Sequence, residues 1–137
     1  MRLPHKEQIN MDEAKKKRIM VVDDEEDLLD FVKLVLEGAG YAVFPALTGH
    51  EALQQMYREK PDLILLDIMM PDLDGMELLK ILKIEESTAS IPVAMLTAKV
   101  EPKDKMAALQ EEAVDYICKP FSPQELVDRV ATILSRK

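Results

Sequence analysis

Leu63-Ile64-Leu65-Leu66-Asp67-Ile68-Met69-Met70-Pro71-Asp72-Leu73-Asp74-Gly75, residues 63–75, joins a strand signal, a carboxylate and a turn. The four apolar residues after Pro61 and Asp62 do not alternate with polar ones. Such a run fits a strand covered on both faces, as in a parallel sheet between two helical layers. It ends at once in Asp67. Pro71-Asp72-Leu73-Asp74-Gly75 has the composition of a turn, with Asp74 available to cap the next helix. That helix is predicted over Asp74–Glu86, with Met76, Leu78, Leu79, Ile81 and Leu82 at helical spacing.

The same unit recurs on both sides. Upstream, Ile19–Val22 is a short apolar run that ends in acids. Glu25–Gly38 then has Leu28, Leu29, Val32, Val35 and Leu36 at helical spacing, closed by Gly38 and Gly40. Tyr41–Phe44 reads as a strand interrupted by Pro45, and Thr48 caps a helix through Arg58. Downstream, Pro92–Leu96 is a second buried strand, Glu101–Glu111 a helix with Pro102 in its first turn, and Tyr116–Cys118 a short strand. Ser122 caps a last helix, with Glu125 at the capping-box position and Leu126, Val130, Ile133 and Leu134 inward. Five strand–helix units with short connections imply parallel strands and right-handed crossovers. The fold class is therefore α/β, a three-layer (βα)5 doubly wound parallel sheet.

Composition agrees with one such domain. The chain has 137 residues, 47% apolar and 32% charged, so a core can form and disorder is excluded. The net charge of −8 opposes a phosphate backbone, which argues against direct nucleic-acid binding. Cys118 has no second cysteine to bridge, so a disulfide-stapled secreted fold is excluded. No apolar run approaches the roughly 18 residues that span a bilayer. The expected setting is the cytoplasm, with no membrane partner. Met1–Lys17 has no sustained apolar period, and its net charge is positive, unlike the rest. It is expected to be a mobile extension, helical near Asp12–Lys17, ahead of a domain at 18–137.

In open α/β sheets the ligand site lies beyond the carboxyl ends of the strands. Those ends hold Asp23-Asp24-Glu25, Asp67, Thr97-Ala98-Lys99 and Lys119-Pro120. Gathered carboxylates repel one another unless a cation neutralises them. Mg²⁺ does so with carboxylate and carbonyl oxygens, and it favours bound phosphate. Lys119 adds a second positive charge and Thr97 a hydroxyl. Asp67 is then a nucleophile whose charge is offset, and the set reads as phosphoryl transfer to a carboxylate.

These pieces together resemble the receiver domain of two-component response regulators, of the chemotaxis-regulator-like single-domain kind. The matching segments are Val21–Glu25, Leu65–Gly75, Leu96–Lys99 and Asp115–Phe121, in order and each at a strand end. The resemblance implies a flavodoxin-like strand order 2-1-3-4-5. It implies that Asp67 accepts a phosphoryl group from a phosphohistidine of a sensor histidine kinase or phosphotransfer protein. Asp23, Asp24, Asp67 and the Met69 backbone carbonyl would hold Mg²⁺, and Lys119 would contact the phosphoryl oxygens. Thr97 and Tyr116 would form a switch, the hydroxyl moving to the phosphate and the ring turning inward. The Lys119-Pro120 bond would be cis. The output face would be the fourth helix, fifth strand and fifth helix, which binds an output protein, acts on an output domain outside these residues, or forms a phosphorylation-dependent homodimer. Such a domain is a signalling switch rather than an enzyme.

Other readings attach to the same residues. Asp23 and Asp24 precede a helix and could simply cap it. Cys118, in an apolar strand, is expected to be a small core residue, and neither His5 nor His50 has a metal role. Asp72-Leu73-Asp74-Gly75 also resembles the nucleophile motif of haloacid-dehalogenase-like phosphatases, but Pro71 stands where an apolar strand should lead in. A receiver-like scaffold that signals without phosphate is the third reading. The loop Gln110–Asp115 departs from the family pattern, with Glu112 where a glycine commonly ends the helix and Val114 where an acid is common. Glu112 should therefore either take up a left-handed backbone or let the helix end differently.

Overall fold

A computed structural model describes residues 16–98 and 101–136. Its elements alternate: β1 (Arg18–Val22), α1 (Glu26–Gly38), β2 (Ala42–Ala46), α2 (Gly49–Arg58) and β3 (Leu63–Leu66), then α3 (Gly75–Ile84), β4 (Val93–Thr97), α4 (Pro102–Gln110), β5 (Asp115–Cys118) and α5 (Pro123–Ser135). All adjacent strands are parallel, in the order β2-β1-β3-β4-β5, the expected flavodoxin-like arrangement. The predicted helix near Asp12–Lys17 and the mobile extension fall mostly outside the described residues, as do His5 and Lys99.

β3 lies at the centre, and Leu63, Ile64, Leu65 and Leu66 are all fully buried. Each such side chain stabilises the fold by roughly 1.5–3 kcal/mol relative to exposure. Alternation sends Ile64 and Leu66 to one helical layer, where they meet Leu78, Leu79 and Leu82 of α3 and Met56 of α2. Leu63 and Leu65 face the other layer, with Val32 and Leu36 of α1 and Leu126 and Val130 of α5. The caps expected from sequence are formed. Thr48 Oγ1 accepts from Glu51 N at 3.0 Å, Asp74 Oδ1 from Met76 N at 2.8 Å, and Ser122 Oγ from Glu125 N at 3.0 Å.

Three local expectations change. β2 does not stop at Pro45, which pairs with Val21 inside the strand. β2 is an edge, so one side of its backbone needs no partner and a missing N–H is tolerated. α3 ends at Ile84 rather than Glu86. Beyond it, Thr88 Oγ1 donates to Leu82 O at 2.7 Å and Lys83 Nζ to Ile91 O at 2.7 Å, closing the helix end with a turn. Cys118 is exposed rather than in the core, because it ends the edge strand β5 beyond the cover that buries Tyr116.

Glu112 takes the left-handed alternative, with φ of 71°. Its N–H donates to Leu109 O at 3.0 Å and that of Ala113 to Ala108 O at 3.0 Å, so the helix terminates as a glycine would terminate it. A side chain in that region costs roughly 1 kcal/mol. Glu112→Gly should therefore raise the urea midpoint by an amount worth about 1 kcal/mol, discounted for the greater freedom of glycine in the unfolded chain. A lower midpoint would mean that the Glu112 side chain contributes more than its backbone costs.

Candidate phosphoryl-transfer site

The sheet delivers its chemistry one residue past the strand ends. Asp23 N donates to Ala46 O at 3.0 Å, Asp67 N to Val22 O at 3.0 Å, and Lys119 N to Thr97 O at 2.9 Å. The ladder therefore continues just far enough to hold these three backbones in register on one rim. Asp23 and Thr97 are fully buried, and Asp67 is 4% exposed. Asp24, next to Asp23, points to solvent. The three carboxylates, from Asp23, Asp24 and Asp67, have oxygens that all lie within 4.8 Å of one another.

Lys119 reaches into this group. Its Nζ stands 2.7 Å from Asp23 Oδ2, 3.2 Å from Asp67 Oδ2 and 3.7 Å from Glu25 Oε1. Burial alone would lower the lysine pKa. The hydrogen bond to Asp23 and the charges of Asp23 and Asp67 outweigh it, leaving Lys119 above the ordinary value. Asp23 is shifted up as well. Burial disfavours its charge and Asp67 adds repulsion, and the hydrogen bonds from Lys119 and Glu25 N only partly compensate. The two shifts have one origin, a buried acidic cluster whose cation among the described residues is Lys119.

The β3–α3 turn is fixed against the same rim. Met69 N donates to Asp67 Oδ1 at 3.1 Å, while the Met69 side chain is 56% exposed. Gly75 N donates to Ile68 O at 2.9 Å, and a Cβ at Gly75 would lie 2.1 Å from Asp67 O. The sequence marks Gly75 only as a turn residue. In three dimensions it lets the start of α3 press on the backbone that carries Asp67. Asp72 is also committed, accepting from Gly49 N and His50 N at 3.2 Å each and from the His50 ring. Desolvation opposes ionisation of Asp72, but these hydrogen bonds hold it down at about 2. It therefore ties the turn to the start of α2 and does not end a strand, contrary to the phosphatase-like motif reading.

Tyr116, two residues before Cys118, is 3% exposed, so its ring is already inward. Burial, with the nearby charge of Asp104, pushes its hydroxyl up to about 12. The Lys119-Pro120 peptide is cis, as expected.

A model of the response regulator receiver domain matches residues 19–131 of this sequence. The chain belongs to that family. Its receiver is 48% identical over 120 residues to the alkaline phosphatase synthesis transcriptional regulatory protein PhoP of Bacillus subtilis, covering 88% of this chain and 49% of that protein. The chain thus spans about half the length of the curated relatives it matches. Among solved structures, a CheY-like response regulator receiver domain protein from Methanospirillum hungatei is 34% identical, with a TM-score of 0.81 over 88% of this chain and 95% of that one. The BeF3-activated DrrB receiver domain is 31% identical, with a TM-score of 0.80 over 88% of this chain and 99% of that one.

The receiver's donor set fits a hard divalent cation. Among the described residues three carboxylates face the Lys119 ammonium, and oxygen donors of this kind suit Mg²⁺, which receivers bind at an acidic pocket. Among the described residues no helix is long and apolar enough to cross a membrane.

Proposed function

We propose that Asp67 accepts a phosphoryl group from a phosphohistidine of a sensor histidine kinase or phosphotransfer protein. The observation that carries this is the buried Asp67 carboxylate, 3.2 Å from Lys119 Nζ and grouped with Asp23 and Asp24. An Asp67 oxygen forms a bond to phosphorus while the P–N bond to the donor imidazole breaks. The leaving nitrogen keeps the electron pair and takes up a proton. Lys119 balances negative charge on the transferring oxygens, acting as a fixed point charge that needs no reorganisation. Asp23, Asp24, Asp67 and the Met69 carbonyl would hold Mg²⁺, which supplies further neutralisation of that charge.

Phosphorylation adds acceptor oxygens beside Thr97, whose hydroxyl moves toward them, with Tyr116 as its partner in the switch. The change passes to the α4/β5/α5 face. There Arg129 is bound to Asp115 at 2.7 Å and lies 3.7 Å from Glu125. A homodimer through this face would share those charges between chains, whereas an output protein or an output domain would cover them. This reading takes residues 18–137 as the receiver and 1–17 as an extension, working in the cytoplasm without direct contact to nucleic acid or membrane. The similarity to a receiver activated by BeF3 supports a phosphate-driven switch over a phosphate-independent scaffold.

Incubation with a small phosphodonor and Mg²⁺ should give one acid-labile phosphoryl group per chain, read by mass. Asp24→Ala should weaken Mg²⁺ binding by at least about tenfold, since loss of even an outer-shell partner costs roughly 10–100-fold. Steady release of phosphate from simple esters would favour the phosphatase reading instead. Failure to label at all would favour the scaffold.

A further inference from the structure

A carboxylate can meet a cation by turning its side chain, but a main-chain carbonyl moves only with its backbone. The Met69 carbonyl, a Mg²⁺ donor in the proposed function, therefore depends on what fixes the β3–α3 turn. The ends of that turn are held close to β3. Met69 N donates to Asp67 Oδ1 at 3.1 Å, and Gly75 N to Ile68 O at 2.9 Å. Residues 70–74, between them, gain their hold on the rest of the fold from a different element.

That element is the start of α2. Asp72 Oδ1 accepts from Gly49 N and Oδ2 from His50 N, both at 3.2 Å, and Oδ2 lies 2.5 Å from His50 Nδ1. The first N–H groups of a helix have no partner within it. Here Thr48 Oγ1 takes that of Glu51, and Asp72 takes those of Gly49 and His50. A residue three positions after Met69 thus completes a cap on a helix more than twenty residues upstream. Leu73 brings the two elements closer still. A Cβ at Gly49 would lie 2.9 Å from Leu73 Cβ, so any side chain at 49 would push the turn away. Leu73 in turn packs against the core layer that holds Ala52 and Leu79.

We propose that Asp72, through its bonds to the start of α2, is a positioning residue that holds the Met69 carbonyl where Mg²⁺ is bound, and that Gly49 provides the room for this hold. The inference rests on the phosphoryl-acceptor reading of the site. It makes the N-terminus of α2 part of the support of the metal site, although α2 contributes no ligand.

Amide NMR shifts of the full chain, titrated with MgCl2, test this. Asp72→Ala should weaken Mg²⁺ binding by about tenfold, within the range for loss of an outer partner of a metal ligand. Asp72→Asn keeps one acceptor oxygen and should recover part of that loss. Gly49→Ala should also weaken binding, although alanine is the better helix former, because its Cβ displaces Leu73. Thr48→Ala is the control. It removes a cap from the same helix end and should lower the urea midpoint. It should leave Mg²⁺ affinity unchanged, because the bond it removes is internal to the start of α2. If Asp72→Ala loses the helical circular dichroism of the wild type, Asp72→Asn and Gly49→Ala decide. Wild-type affinity in folded Asp72→Ala would overturn the proposal, as would wild-type affinity in both Asp72→Asn and Gly49→Ala. A loss in Thr48→Ala as large as that in Asp72→Ala would also overturn it, reducing Asp72 to a helix cap. In each of these cases a wild type that binds Mg²⁺ and takes up a phosphoryl group leaves the phosphoryl-acceptor reading standing. A wild type that does neither overturns both.

Discussion

Asp67→Asn is expected to reduce labelling by a phosphodonor with Mg²⁺ to background while making the metal-free protein more stable. The first effect follows from chemistry. An amide oxygen has neither the charge nor the basicity to attack phosphorus, and neither of the other two carboxylates is placed to replace it. Asp23 is sealed in by its bonds from Lys119 and Glu25 N, and Asp24 is exposed. The second effect follows from counting charges at short range. Asp67 feels one ammonium at 3.2 Å and two carboxylates in the same cluster. Two unit charges 4 Å apart interact by about 4 kcal/mol at an effective dielectric of 20, so two repulsions outweigh one attraction. Solvent screening of the exposed Asp24 and the shorter distance to Lys119 cut that surplus to about 1 kcal/mol. Asn keeps an oxygen for the hydrogen bond from Met69 N, so the turn need not move. Urea titration in chelator, beside phosphodonor labelling read by mass, checks both parts. Label persisting on the variant would remove Asp67 from its role, and a lower urea midpoint would mean that Lys119 already compensates the cluster.

Much of this site could be read before any coordinates, because its residues sit at the ends of apolar runs. Asp23, Asp67, Thr97 and Lys119 each follow a short buried stretch, and a parallel sheet has only one edge where such residues can gather. Capping was legible for a similar reason, since Thr48, Asp74 and Ser122 act on N–H groups two or three residues away. What escaped the sequence depends on distant partners. Nothing local says that Asp23 is buried while Asp24 faces solvent. Nothing around Asp72 reveals that it binds the start of α2, more than twenty residues upstream. Gly75 is locally a turn glycine, and only the fold puts the Asp67 carbonyl where its Cβ would be. Pro45 and Cys118 depart from expectation because they lie in edge strands, and strand order is a property of the whole sheet. Glu112 was the converse case. The glycine common at that position marks a left-handed helix end, so a positive φ at Glu112 is one of the two outcomes open to the sequence.

Lys119→Met should cost more stability than any other single change at the rim, and Mg²⁺ should restore part of it. The ammonium is largely buried and lies 2.7 Å from a fully buried carboxylate. Removing one partner of such a pair leaves the other uncompensated, a loss of roughly 3–5 kcal/mol when burial is complete. Here Asp67 and Asp24 keep the cluster strongly negative, and a hard cation can take the vacated neutralising role, so Mg²⁺ should stabilise the variant more than the wild type. The pH dependence has a definite sign. Burial already raises Asp23 above 3.8, and loss of the Lys119 hydrogen bond must raise it further. A carboxyl raised on folding binds its proton more tightly in the native state, so its contribution is favourable at acid pH and is lost as pH rises through the folded pKa. The deficit of Lys119→Met relative to wild type should therefore be smallest near pH 4 and grow toward neutrality. Labelling should also fall by about 10²–10³-fold, the usual cost of losing one preorganised positive group at a developing charge. Adding Asp23→Asn to Lys119→Met separates the two roles. The buried charge is gone, so stability should recover, whereas labelling should stay low because the phosphoryl oxygens still lack their ammonium. Recovery of both would mean that Lys119 serves only to hold Asp23, and recovery of neither would mean that its aliphatic stem, not its charge, supports the rim.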